Sequence, residues 1–218
     1  MPFTFKIRQK IKEAWVLYKE HFGSIILLLL VTGILQIISQ KFSKNILVGL
    51  LLILISTLIS YIWIKSIFNL LDGKGFNPFL QESLPTLSQY WDLIKTSILI
   101  LLCVIPGIIL LIVPGLYISG RLFPAKYISI EKHQGARKNI KEAWELTRGN
   151  AWRLLWKSLL IGLFILLGFI ALVVGSVITY PIGIMLSVMM YRELVKFKSV
   201  GVKMEAVEIP AAPAVEVK

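Results

Sequence analysis

One cysteine, two histidines and 12 acidic residues are spread over 218 positions. The single thiol, Cys103, excludes an intrachain disulfide and a cysteine-based metal site. It lies in an apolar run and reads as a buried, inert side chain. Neither His21 nor His133 has a partner at H-x-x-E or H-x-x-x-H spacing, and both fall at the edges of apolar runs, where they read as solvated. HExxH, GxSxG, P-loop and GxGxxG strings are missing. Glu142 and Glu145 share a helix turn with Lys138, Lys141 and Arg148, so local ion pairs explain them. The expectation is a protein that is not an enzyme, with no catalytic, cofactor-binding or metal-ligating residues and no cofactor.

Charge is scarce as well. Only 17% of residues are charged and 56% are hydrophobic, with a mean hydropathy of +0.77. Soluble domains run near 25% charged, so most of them are excluded. Disorder is excluded more firmly, because it needs low hydrophobicity. What charge there is has one sign: 24 Lys+Arg against 12 Asp+Glu, a net of +12. No nucleic-acid motif accompanies that excess, so nucleic acid is not the expected partner. Basic residues flanking apolar runs instead face anionic lipid and set topology.

The uncharged runs are long. A bilayer core of about 30 Å needs about 20 apolar residues per helix. Gly23–Ser39 and Asn45–Ile64 supply one span each. Ser158–Tyr191 holds 34 residues, enough for two, with a turn near Gly175-Ser176 or Tyr180-Pro181. Thr96–Gly120 holds 25 and its apolar character continues past Arg121 to Ile130, 35 residues in all and again enough for two, with Pro114-Gly115 as the turn and Pro106 as a kink. The expected fold is all-α: a polytopic membrane helix bundle of six spans, at about 23–40, 45–65, 95–113, 115–130, 154–174 and 177–196. The fourth span is the weakest, since it carries Arg121, Pro124 and Lys126. Six spans put both termini on one side, together with 21 of the 24 basic residues and all 12 acids. Only Lys41 and Lys44 lie opposite. By that bias the termini are cytoplasmic and the outer connections short. No cleavable leader is evident, so the first span is expected to stay as an anchor.

The segment before the first span is amphipathic. Phe3, Ile7, Ile11, Ala14, Trp15, Tyr18 and Phe22 recur at helical spacing, and Lys6, Arg8, Lys10, Lys12 and Lys19 fall mostly off that stripe. This is the pattern of a helix lying in the membrane interface, or of a lid on a helical bundle. The string Ile11-Lys12-Glu13-Ala14-Trp15 recurs as Ile140-Lys141-Glu142-Ala143-Trp144. A weaker echo sets Trp91, Leu93, Ser97 and Leu99 against Trp152, Leu154, Ser158 and Leu160. These echoes suggest one domain over 1–198 made of three units, about 1–70, 83–131 and 136–198, each an amphipathic segment followed by a hairpin. Pro210 and Pro213 argue against helix in 199–218, which reads as a disordered cytoplasmic tail. All six tryptophans sit near the cytoplasmic ends of spans, with Trp15, Trp91, Trp144 and Trp152 as interfacial anchors.

No acid lies in the uncharged core of any expected span, Glu193 falling at the basic-side end of the sixth, and Arg121 is the one charge placed well inside the membrane. A charge at mid-bilayer costs at least about 2.5–3.5 kcal/mol, so a reason should exist. Arg121 either contacts an anionic lipid or substrate, or pairs with backbone carbonyls freed by Pro114 or Pro124, or snorkels to an interface.

Three strings carry a resemblance: Ile112-Val113-Pro114-Gly115-Leu116-Tyr117, Arg121 shortly after it, and the run Ala143-Trp144-Glu145-Leu146-Thr147-Arg148-Gly149-Asn150-Ala151-Trp152-Arg153. Over about residues 85–197 the chain resembles the YciC-type integral-membrane proteins of bacteria and archaea. It is similar also to the membrane domain attached to some glycerophosphodiester phosphodiesterases. The resemblance implies a six-span inner-membrane protein of the bacterial or archaeal envelope and transfers no functional residue. Two roles are then open. One is an envelope accessory that binds membrane proteins or organises anionic lipid through basic interfacial helices. The other is a transporter or lipid-handling protein built on Arg121.

Overall fold

The computed structural model describes residues 3–42, 46–110, 112–170 and 172–207. Among them there is no strand, and nine α-helices follow one another: α1 (Ile7–Glu20), α2 (Phe22–Phe42), α3 (Ile46–Leu71), α4 (Leu87–Leu110), α5 (Ile112–Leu122), α6 (Ala125–Lys132), α7 (Ala136–Leu146), α8 (Ala151–Ile170) and α9 (Leu172–Val207). Loops at 72–86 and 133–135 divide them into three groups of three. Four helices, α2, α3, α4 and α8, are long and apolar enough to cross a membrane. They coincide with the first, second, third and fifth expected spans.

The outward surface explains why these helices need an apolar solvent. Leu27, Leu30, Ile34 and Ile37 on α2, Leu47, Leu50, Leu51 and Ile53 on α3, and Leu159, Leu163, Leu166 and Leu167 on α8 are all exposed. A belt of that extent is not kept against water. Cys103 belongs to it. Its thiol is exposed on α4 between Leu102 and Ile105, which corrects the expectation of a buried group. The reason is rotational: this stretch of α4 turns its apolar face outward, since lipid tails and protein interior are equally good surroundings for it.

Both expected turns in the long runs lie elsewhere. Pro114 and Gly115 fall in the first turn of α5, beyond the end of α4 at Leu110, and 111 lies outside the described residues. Gly115 is a packing residue: a Cβ there would come within 2.6 Å of the Ile108 backbone nitrogen. A Cβ on Gly107 would come 3.0 Å from the Gly115 Cα. Two glycines facing each other let the antiparallel arms touch backbone to backbone. Likewise Gly175-Ser176 and Tyr180-Pro181 lie inside α9, which begins at Leu172, and 171 lies outside the described residues. Gly168 of α8 abuts Thr179 of α9, and Gly183 of α9 abuts Ile165 of α8, with would-be Cβ contacts of 2.7 and 2.5 Å.

The fourth expected span is two short helices. Pro124, which has no N–H to continue α5, is the N-cap of α6, and its carbonyl accepts from Ile128 N at 2.9 Å. The 11 residues of α5 reach only about 16 Å at about 1.5 Å per residue. The sixth expected span is contained in α9, 36 residues of unbroken helix that pass through Pro181. Its stretch from Ile182 to Leu194 is largely buried, as is Tyr61–Leu70 of α3. Helix continues to Val207, into the segment expected to be a disordered tail, and 208–218 lie outside the described residues.

Burial is concentrated at one end. Tyr61, Trp63, Ile67 and Phe68 of α3, Ile128 and Ile130 of α6, and Met185, Leu186, Met190 and Tyr191 of α9 make its centre. Here α1 lies across α9, with Phe3 edge-on to Phe197 at 5.7 Å and Lys10 3.1 Å from Glu193. Its stripe of Ala14 and Tyr18 is thus turned toward protein, as in the lid alternative, while Trp15, Val16 and the following Phe22 stay outside.

Candidate functional site at the basic end of the bundle

The two copies of the Ile-Lys-Glu-Ala-Trp string hold the same attitude. Ala14 in α1 and Ala143 in α7 are both fully buried, and the next residue, Trp15 or Trp144, is exposed. A residue as small as alanine lets the helix axis approach its neighbour closely, which tips the following indole outward. The weaker echo behaves alike. Trp91 and Trp152 are exposed, and Leu93 and Leu154 are fully buried two positions on. All four expected anchors therefore stand on the outside of this end. Trp63 does not. It is 1% exposed, and its Nε1 donates to Thr32 Oγ1 at 3.1 Å. Its place near a helix end gave the wrong expectation, because α3 is lined there by α2 and α9.

Between the anchors the charge is positive. Arg8, Lys12, Arg137, Lys138, Lys141, Arg148 and Arg153 are exposed, and none has an ion-pair partner among the described residues. The acids at this end are mostly committed. Glu142 pairs with Lys132 at 2.5 Å and accepts from Gln134. Asp72 takes a two-pronged contact from Arg192 at 2.5 and 2.9 Å, and Arg192 also covers the Phe68 ring at 5.0 Å. The guanidinium holds the Asp72 carboxyl below its ordinary range.

Arg121 is 6% exposed, at the end of α5. One terminal nitrogen donates to the Trp144 carbonyl at 2.8 Å, and the guanidinium lies 4.1 Å from the centre of the Trp144 ring. The other reaches Tyr117 Oη at 3.4 Å, while Nε is buried without a hydrogen-bond partner among the described residues. The Trp144 carbonyl is one of the last four of α7, which have no acceptor role within their own helix. A cation there also meets the negative end of the helix dipole. Backbone carbonyls do hold Arg121, then, but those at the end of α7 and not those freed by Pro114 or Pro124. Thr147 Oγ1 closes the joint by donating to the Arg121 carbonyl at 3.1 Å.

Three groups escaped the sequence reading. Asp92 at the start of α4 accepts from Asn139 Nδ2 at 3.1 Å, and from Ser129 Oγ and the Gly135 amide at 3.4 Å each. With Thr96, which accepts from Asn139 at 3.0 Å, it ties α4, α6 and α7 together. Lys126 donates to Ser60 Oγ at 2.7 Å beside a cavity of about 290 Å³ also lined by Ser56, Thr57 and Ser97. His133 is only partly solvated: its ring stacks on Tyr61, its Nδ1 is buried, and burial with Lys65 nearby holds its pKa below 6.5. A second cavity of about 570 Å³ opens between α4 and the start of α7, lined by Lys95, Arg137 and Lys138 with Ile98, Leu99 and Asp92. Among the described residues no cluster of His, Cys, Asp and Glu could hold a metal ion.

No family model, no curated protein and no solved structure matches this chain.

Proposed function

We propose that this chain is a non-enzymatic integral protein of the bacterial or archaeal cytoplasmic membrane. In this reading both termini are cytoplasmic, and the protein organises anionic lipid or holds other membrane proteins through its basic interfacial helices. The observation that carries the reading is the basic end itself. Arg8, Lys12, Arg137, Lys138, Lys141, Arg148 and Arg153, exposed and without an ion-pair partner among the described residues, stand with four exposed tryptophans beside an apolar belt. Indole rings favour the headgroup level, and each Lys or Arg near an anionic leaflet is worth about 1 kcal/mol of attraction. The positive-inside bias puts that end in the cytoplasm.

A six-span, threefold layout like that of the YciC-type proteins belongs to the same proposal. It is supported by the matched attitudes of Ala14-Trp15 and Ala143-Trp144, and by the hairpins α2–α3, α4–α5 and α8–α9 that follow an amphipathic stretch. In that layout α9 supplies the sixth crossing, and α5 with α6 a broken fourth. A transport or lipid-handling role through Arg121 has less support, since the Trp144 carbonyl and ring occupy its charged head.

The test is extraction into native nanodiscs, followed by mass spectrometry of co-purifying lipids and proteins. Enrichment of anionic lipid over the bulk membrane, or a stoichiometric membrane-protein partner, is the expected result. A lipid annulus of bulk composition with no partner overturns the proposal.

A further inference from the structure

We infer that the groove between α4 and the start of α7 is a discrete site for one anionic phospholipid. Its phosphate would sit among Lys95, Arg137 and Lys138, and an acyl chain would run along Ile98 and Leu99. The inference rests on the membrane reading above and gives it a particular place and ligand.

The charge balance of the groove favours an anion. Lys95, Arg137 and Lys138 are exposed and have no ion-pair partner among the described residues. Asp92 also lines the groove, but its Oδ2 is the acceptor for Asn139, Ser129 and the Gly135 amide. Three cations against one carboxylate leave a local excess of two positive charges.

The position of two of these cations is unusual. Arg137 and Lys138 are the second and third residues of α7, where the helix dipole is positive and cations are unfavourable. No acid stands in that first turn, and the N-cap is Gly135, at φ +97, which caps with no side chain. Asp92, reaching in from α4, is the one negative group at this helix start among the groove-lining residues. An added phosphate would offset both the dipole and the two side chains.

The shape of the groove selects a lipid over a free anion. One wall is apolar, and Ile98 continues into the exposed face of α4 through Leu101 and Leu102 to Ile105. A chain leaving the phosphate along that wall stays beside the outward belt throughout. The volume of about 570 Å³ accommodates a headgroup and the first part of a chain, within the usual range for ligand pockets.

The experiment uses the full chain in nanodiscs of phosphatidylcholine doped with phosphatidylglycerol, with bound lipid counted by native mass spectrometry. The groove variant is Lys95→Gln/Arg137→Gln/Lys138→Gln. The control, Lys6→Gln/Lys19→Gln/Lys196→Gln, removes equal charge at exposed positions outside the groove and outside the seven cations named above. Wild type and control should retain one tightly held phosphatidylglycerol. The groove variant should bind it about 140-fold more weakly, from about 1 kcal/mol for each of the three charges removed and about 1.4 kcal/mol per decade. Inorganic phosphate should not displace the lipid, and displacement by phosphate at lipid-like concentration overturns the assignment of a phospholipid. Equal weakening in both triple variants overturns the groove while leaving the general electrostatic reading intact. No preference for phosphatidylglycerol in wild type overturns both. All six side chains are exposed, so the variants should fold, and an unchanged melting temperature checks this.

Discussion

Replacing Arg121 by methionine should destabilise the bundle by about 3 kcal/mol. Methionine preserves most of the aliphatic stem, so the loss is that of the guanidinium. Its hydrogen bond to the Trp144 carbonyl, 2.8 Å long and with a charged donor, is worth about 1.5–3 kcal/mol. The stacking on the Trp144 ring at 4.1 Å adds about 2 kcal/mol at a desolvated site. The two overlap, and relief of the buried charge offsets part of the sum. A double-mutant cycle separates them. Trp144→Leu removes the ring but keeps the carbonyl, so the coupling between Arg121→Met and Trp144→Leu reports the stacking alone, about 1–2 kcal/mol. Arg121→Lys should fall between, since an ammonium keeps charge but not the planar face. The assay is reversible unfolding in mixed micelles, titrated with sodium dodecyl sulfate and followed by tryptophan fluorescence. An Arg121→Met stability within about 0.5 kcal/mol of wild type would refute the structural role. If such a variant also lost a bound anion, Arg121 would return as a ligand site.

Three further outcomes follow from the packing. Gly115→Ala would press a methyl against the Ile108 backbone, so it should cost about 1–3 kcal/mol in the same titration, while Gly33→Ala, with open space around it, should not; equal effects would argue against a tight α4–α5 hairpin. The Asp72 carboxyl is held below its ordinary pKa of 3.8 by Arg192, so the pair stabilises the fold at neutral pH and loses that contribution as pH falls below about 4. Asp72→Asn should therefore lower the melting temperature at pH 7 and narrow its difference from wild type at pH 3.5; a difference that does not change with pH removes the ion pair as cause. A spin label on Cys103, the sole cysteine, should relax with dissolved oxygen and not with a water-soluble nickel chelate; the reverse pattern would put the outward face of α4 in water.

The four helices able to span a membrane were legible because uncharged runs of about 20 residues leave a chain few alternatives in or out of a membrane. The turns were not. Pro114-Gly115 and Tyr180-Pro181 carry turn chemistry, but membrane helices tolerate proline, and glycine facing a neighbouring helix serves contact instead of reversal. Gly107 and Gly115 are eight positions apart, a symmetric pair about position 111 that a search for facing small residues would have detected. The repeated Ile-Lys-Glu-Ala-Trp string did locate Trp15 and Trp144, because one string in two helices meets one kind of environment. Arg121 was flagged by its cost in the membrane, yet its main acceptor is a backbone carbonyl 23 positions away, which leaves no mark on residue identity. The Asp92 and Asn139 pair, 47 positions apart, was equally silent: two common polar residues that become a joint only when α4 meets α7.

The embrace of α1 and α9 has a consequence for biogenesis. During synthesis α1 emerges long before the surface it covers exists, since α9 follows every other described helix in the chain. Until Phe197 and Glu193 arrive, Phe3 and Lys10 lack the ring and the carboxylate that tie them to α9. Closing a loop of nearly two hundred residues is then the finishing step, and hairpins inserted earlier must wait for it as a loose raft. A ribosome that stalls before α9 would release a product whose exposed amphipathic lid and empty centre distinguish it from the finished protein. A membrane protease that grips unseated interfacial helices could thus sort complete from incomplete copies without reading any signal in the sequence.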